Sequence, residues 1–376
     1  MKLIESKAEY IPQEEGLEGI YKSIELAGRT AYHSQNKITP DSAKDFVDRM
    51  IKSKHGAALE AGTVYLMVHT IAPKDWDKKI GRHRRSTIDD CRDDLRTNPT
   101  YDNSGKENWW AKEAKHKAHV MAIKYADNPY SKVEIVLTKH ELDTKDGIIL
   151  TPTGDMPVIT KGTGKVISIF NTILITTNLR VLVENNWLDD LQYICSPTEF
   201  HEKRYTMRFT CSRAIAQELT RHRTFSFLME SQRYINYSKE RHGEKITYIK
   251  PSWLEESEEE ANSFLGLVMA GAELNEHGEK VYPFFESLVF AEKNYFVLLN
   301  KGFTPQQARD VLPNATKTEL IMTGFVSDWR HVMDLRLFGK TGAPYPDMLD
   351  LMQKTQKAMQ EADIWEDIMK YPSKFE

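Results

Sequence analysis

YTMRFTCSRAIAQELTRHRTFSFLMESQRY occupies residues 205–234, and its first half decides how the chain is built. Tyr205, Met207, Phe209 and Cys211 alternate with Thr206, Arg208 and Thr210, the period of a strand with one buried face. At Ser212 the period changes. Ser212 is a candidate N-cap, and Ala214, Ile215 and Leu219 follow at helical spacing, carrying Glu218, Arg221 and His222 on adjacent turns. The triplet Arg221-His222-Arg223 is thus expected to end a helix that follows directly on a strand. Beyond it the fourteen residues from Arg221 to Tyr234 set Arg221, His222, Arg223 and Arg233 against one carboxylate, Glu230.

Outward from this junction, Thr39-Pro40-Asp41 opens an amphipathic helix with Phe46, Val47, Met50 and Ile51 on its apolar face and a stop at Gly56. Thr63 to Thr70 reads as a strand. Toward the C-terminus three helices are expected: Tyr282 to Lys301 closed by Gly302, one opened by Thr304-Pro305 that stops before Pro313, and Thr318 to Leu337. Between Ile71 and Val166 the composition shifts to charged runs and then to a Gly/Pro/Thr-rich stretch. This predicts a surface elaboration at about 71–165 on a single domain spanning 1–376, with short strands at Val133 to Leu137 and Val166 to Ile175 returning to the sheet. Strands separate helices irregularly rather than in βαβ order, so the fold class is α/β (α+β), a mixed or antiparallel sheet flanked by long helices.

A chain of 376 residues, 40% hydrophobic, can bury a full core. Net charge −4 argues against a surface coated with positive charge for nucleic acid, so anion binding must come from a local cluster. Cys91, Cys195 and Cys211 form no CxxC pair, which suits a reducing compartment. The N-terminus lacks the apolar region of a signal peptide and no apolar run approaches a membrane span, so a soluble, cytoplasmic protein with no membrane partner is expected. KGTGKVIS at Lys161 to Ser168 is not a Walker A loop, because Ile159 and Val166 stand where glycine and a hydroxyl are needed. No GxGxxG occurs. His116 and His119 read as a solvated helix face, and no metal is expected. A second RHR at Arg82 to Arg84 runs into the acidic RSTIDDCRDD and reads as an exposed charged face.

The spacing RHR-x7-S-x-R-Y, from Arg221 through Ser231 to Arg233-Tyr234, resembles the signature of the flavin-dependent thymidylate synthases. AGRTAYHS, HGAALEAGTVYL, TTNLRVL, PTEFHEKR, TPQQARDVLP and TELIMTGFVSDWRHVMDLR look like further segments of that family, in family order. The resemblance implies reductive methylation of dUMP to dTMP, with NADPH reducing FAD, methylenetetrahydrofolate supplying the carbon, no cysteine nucleophile, and a homotetramer whose sites draw on several subunits. It implies dUMP contacts from Glu218, Arg221, Glu230, Ser231, Gln232, Arg233, Arg309 and Arg336, and FAD contacts from Glu60, Arg221, His222, Arg223, Phe325, Ser327 and His331. Guanidinium forks suit a phosphate, and a fixed Arg336 beside the uracil ring is the implied catalytic group, the kind of preorganised donor that contributes about 3 to 4 kcal/mol.

Three departures stand out. The family commonly reads S-Y-N-E-L-S where this chain has S-F-L-M-E-S, which leaves Met229 in the usual place of the carboxylate and moves the acid to Glu230. Glu218 replaces a common glutamine, and Ala61 a usual histidine. Two other readings use the same residues: a folate- and FAD-dependent RNA uracil methyltransferase, which would need a broad basic track, and a non-enzymatic binder of single-stranded nucleic acid, with Arg82 to Arg85 and Arg221 to Arg223 on phosphates and Trp109-Trp110 stacking on bases. The charge balance favours the small-molecule reading, with no nucleic-acid partner.

Overall fold

The computed structural model describes residues 1–70, 88–89, 91–92, 109–143, 148–150, 157–159, 165–233, 235–239, 245–272 and 276–375. They form two compact units, Met1–Thr63 with Lys203–Glu376, and Val64–Glu202. Along the chain come β1 (Lys2–Ile4), β2 (Lys7–Ile11), α1 (Gly16–Ala31), α2 (Ser42–Lys52), α3 (Gly56–Leu59), β3 (Thr63–Thr70), α4 (Trp109–Ala126), β4 (Lys132–Asp143), β5 (Ile148–Leu150), β6 (Pro157–Ile159), β7 (Lys165–Asn178) and α5 (Leu179–Glu184). Then follow β8 (Arg204–Ser212), α6 (Arg213–Leu219), β9 (Ser226–Met229), β10 (Thr247–Ile249), α7 (Glu258–Ala270), α8 (Glu276–Asn300), α9 (Pro305–Ala308), β11 (Lys317–Phe325), α10 (Val326–Arg336), α11 (Pro346–Glu361) and α12 (Trp365–Met369).

In the first unit the antiparallel sheet β2-β8-β11-β9 carries the core. Tyr205, Met207, Phe209 and Cys211 of β8 are buried, as the alternation requires, and pack with Ile215 and Leu219 of α6, Trp329 and Met333 of α10, and Leu351 and Met352 of α11. Ser212 caps α6, its hydroxyl accepting from the Ile215 N–H at 3.3 Å. The mixture of long helices and an antiparallel sheet is the expected fold class.

The helix expected over Thr318 to Leu337 is instead two elements, β11 and α10. Leu320 and Met322 face the large core, while Ile321 faces Ala27 of α1, so both sides of the strand are covered. A strand buried on both faces loses its alternation and reads like a buried helix. The break falls after Phe325, next to Gly324, where an added Cβ would lie 2.3 Å from the Phe225 ring. Phe225 meets Trp329 edge-on, with ring centroids 4.8 Å apart, and so fastens the start of α10 beneath the sheet.

Smaller differences have local causes. α2 ends at Lys52, and Lys54, at φ +57°, makes the left-handed turn expected of Gly56. α8 begins at Glu276 and keeps Pro283 inside it; Gly302 closes the end at φ +89° as expected. The helix opened by Thr304-Pro305 is short, with Thr304 and Gln307 in a reciprocal cap.

The second unit has its own sheet, β3-β7-β4, with β4 and β7 paired antiparallel from Lys132↔Thr176 to Asp143↔Lys165. The strands expected to return to the main sheet therefore pair with each other. Most of the 71–165 elaboration, including the second RHR and much of KGTGKVIS, lies outside the described residues. His119 in α4 is buried, not on a solvated face, because α4 packs that side inward with Ala118 and Met121. No helix among the described residues is long and apolar enough to cross a membrane.

Candidate functional site

The strand-to-helix junction and the end of α10 bring three expected residues together. Arg336, last residue of α10, sets its Nη1 3.4 Å from Glu218 Oε2 and its Nε 3.4 Å from His222 Nε2. Both contacts are long, and the side chains of Arg336 and Glu218 are 25% and 31% exposed, so the pair is worth about 1 kcal/mol or less. Burial, and after it the charges of Arg336 and His331, push the His222 pKa down to about 4. Its imidazole is neutral at pH 7, and with Arg336 donating to Nε2 the proton sits on Nδ1. His331 also has a lowered pKa, with burial the larger cause and Lys374 next. Its Nδ1 is buried without a hydrogen-bond partner, and its ring stacks on Phe375, centroids 5.7 Å apart.

A second group lies at the other end of α6. Arg213 is the first residue of that helix, a place where a cation opposes the helix dipole. Its Nη1 is buried without a hydrogen-bond partner. Burial, joined by the charge of Arg309, holds its pKa below the ordinary arginine value, with Tyr237 and Glu230 partly offsetting. The Gln232 Nε2 is likewise buried without a hydrogen-bond partner. The buried donors left over on Arg213 and Gln232, with the charge of Arg309 close to Arg213, are what a phosphate or carboxylate needs. Sequence reasoning passed over Arg213; its one signal was a cation at a helix start.

The third group surrounds Glu230, which is buried. Its Oε1 lies 2.8 Å from His33 Nδ1, and its Oε2 accepts from Lys317 Nζ at 3.2 Å and from the Glu319 N–H at 3.1 Å. Burial alone would raise the Glu230 pKa, yet His33 and Lys317 hold it below the usual carboxylate value. Lys317 also reaches Glu319 at 2.8 Å. His33 sits in the left-handed position that closes α1, at φ +48°, a conformation that costs about 1 kcal/mol for a residue with a side chain. His33 and Lys317 too were missed by sequence reasoning.

The remaining expected residues are spread around these groups. Arg221 and Arg223 are exposed just beyond α6, with no ion pair to either among the described residues. Arg233 is exposed, and the half-buried Ser231 donates its N–H to the Ala31 carbonyl at 3.1 Å. Phe325 is buried beneath the Arg204 guanidinium at 5.5 Å, and Arg204 ties Phe325 to the Glu60 carbonyl at 3.2 Å and to Ser226 at 3.1 Å. Ser327 is half-buried in the first turn of α10. Exposed cations at Arg221 and Arg223 and the buried, unpartnered Nδ1 of His331 fit an anionic cofactor with a polar ring system. Among the described residues no group of His, Cys, Asp and Glu is placed to hold a metal.

Cys195 and His201, 3.9 Å apart in the second unit, resemble a nucleophile and its base but are not built as one. Burial pushes the Cys195 thiol up to about 11, and the Thr198 N–H donates to His201 Nδ1, which leaves Nε2–H directed to the Leu66 carbonyl at 3.3 Å. The buried Cys211 thiol is pushed up to about 12.

Residues 177–362 match the family Thy1, thymidylate synthase complementing protein. The flavin-dependent thymidylate synthase of Corynebacterium aurimucosum is 34% identical over 125 residues, covering 33% of this chain and 46% of the relative. That of Pyrococcus furiosus is 32% identical over 127 residues, covering 34% and 43%. The chain thus spans less than half the length of these relatives. Among solved structures, thymidylate synthase X of Helicobacter pylori with FAD and dUMP overlaps 45% of this chain and 74% of its own, at 26% identity and a TM-score of 0.30. The UMP/dUMP methylase PolB of Streptomyces cacaoi overlaps 44% and 73%, at 18% identity and a TM-score of 0.33.

Proposed function

This chain belongs to the thymidylate synthase complementing family through residues 177–362, and from that membership we propose that it converts dUMP to dTMP as a flavin-dependent thymidylate synthase. The observation that carries this reading is the pair of spare buried donors at Arg213 and Gln232, with the charge of Arg309 close to Arg213, together with the loosely held Arg336 at the other end of α6. In it, Arg213, Arg309, Gln232, Ser231 and Arg233 hold the nucleotide phosphate. Arg336 exchanges its weak contact with Glu218 for the uracil ring, where its fixed charge stabilises negative charge on the ionised base and favours attack at C6. Neutral His222 accepts from Arg336 and fixes the direction of that guanidinium. Glu218 is left to accept from the N3–H of the neutral base before it ionises, the part its carboxylate can play as an acceptor.

When bound, FAD reduced by NADPH would supply hydride chemistry here, with methylenetetrahydrofolate as the one-carbon donor. Arg221 and Arg223 would hold the FAD pyrophosphate, with His222, Glu60, Phe325, Ser327 and His331 around the rest. The reading extends to a homotetramer with shared sites, checked by light scattering, and to a cytoplasmic location.

The test is tritium release from dUMP labelled at C5. Release and dTMP formation are expected only with FAD, NADPH and methylenetetrahydrofolate together. A purified protein that binds no FAD and releases no tritium under those conditions contradicts the proposal.

A further inference from the structure

Both carboxylate oxygens of Glu230 are already engaged within the fold. His33 takes Oε1, and Lys317 with the Glu319 N–H takes Oε2. The backbone is held on both sides too: the Glu230 N–H donates to the Glu319 carbonyl at 2.8 Å and the Ser231 N–H to the Ala31 carbonyl at 3.1 Å. We propose that His33 and Glu230 are positioning residues, an imidazole–carboxylate clasp that fastens the Ser231–Arg233 segment to the end of α1 so that it presents its donors to the phosphate of a pyrimidine nucleotide. This rests on the reading of the site given above and deepens it.

Strand parity explains why the carboxylate stands at 230. Phe227 and Met229 pack toward the large core, while Leu228 packs on the opposite side with Ala27 of α1. Side chains two apart share a face, so an acid at 229 points to the core side and an acid at 230 to the α1 side. Moving the carboxylate by one residue therefore hands it from one layer to another. There it meets His33.

His33 bears the second mark. The end of α1 is already closed by backbone bonds, His33 N–H to the Thr30 carbonyl at 3.1 Å and Ser34 N–H to the Arg29 carbonyl at 2.9 Å. Glycine would adopt φ +48° there without strain. A strained histidine at that place is explained by what its side chain does, and its Nδ1 bond to Glu230 is the shortest contact that carboxylate makes.

The test compares wild type, His33→Gly, Glu230→Gln and the double variant. His33→Gly suits the left-handed backbone, so it removes the imidazole without opposing the fold. It is expected to raise the KM and Kd for dUMP about tenfold while kcat at saturating dUMP stays unchanged. Glu230→Gln should weaken dUMP similarly, and the double variant should be no worse than the weaker single, as for groups acting through each other. His33→Asn, which tolerates the backbone and keeps an N–H donor, should recover most of the affinity. Amide exchange at Ser231 to Arg233 should rise about tenfold in His33→Gly with no nucleotide present. Unchanged exchange, additive losses, or a loss in Glu230→Gln alone overturns the clasp, the last because Glu230 would then touch the nucleotide itself. Faster exchange in a protein whose wild type binds no dUMP supports the clasp and overturns the reading of the site.

Discussion

Two cationic groups lie side by side near the start of α6, and they are built on opposite terms. Lys317 and His33 close on Glu230, with every oxygen of that carboxylate in use. Arg213 and Arg309 face each other's charge, and a guanidinium nitrogen of Arg213 is buried with no partner. Paired charges within a fold position the chain, whereas unpaired ones, which destabilise the empty protein, are kept for something that arrives. The contrast sets a clasp within the fold apart from the group proposed to bind phosphate, without reference to any motif.

Removing a cation from each group should therefore act on stability with opposite signs. Lys317→Met leaves Glu230 short of its cation and is expected to destabilise the fold by about 3 kcal/mol, read by urea denaturation. Arg336→Ala belongs to neither group; kcat should fall at least about a hundredfold while flavin absorbance is retained. Arg213→Met should raise the melting temperature of the nucleotide-free protein, consistent with a gain of about 1 kcal/mol, and weaken dUMP about tenfold or more. A destabilising Arg213→Met would erase the distinction between the groups.

The smallest effect is in pH. The folded pKa of His222, about 4, lies below its ordinary value, so the unfolded chain binds the proton first as pH falls. Stability is lost between about pH 6.5 and 4 and levels off below. His201 and His331, also lowered, act in the same direction. His222→Gln should flatten part of that slope in denaturation midpoints measured from pH 7 to 4; an unchanged slope would show that His222 is not buried as described.

How much of this was legible follows the physics of each element. β8 showed its alternation because one face meets the core and the other does not, and Ser212 announced α6 through its cap. β11 hid because Ile321 and Met322 are buried on opposite faces, which erases the period that would have marked a strand. Within the site, Arg336, His222 and Glu218 were legible only through the resemblance to the flavin-dependent thymidylate synthases. Arg213, His33 and Lys317 were not, since being unpaired, left-handed or clasped is a property of the folded neighbourhood and leaves little trace in the order of residues.

The most direct measurement is calorimetric titration of dUMP and of deoxyuridine, which lacks the phosphate, into wild type and Arg213→Met. Wild type should prefer dUMP by about a hundredfold or more, and most of that preference should vanish in Arg213→Met. Equal binding of the two ligands by wild type, or a preference that survives the substitution intact, would contradict the claim that these spare cations are a phosphate site.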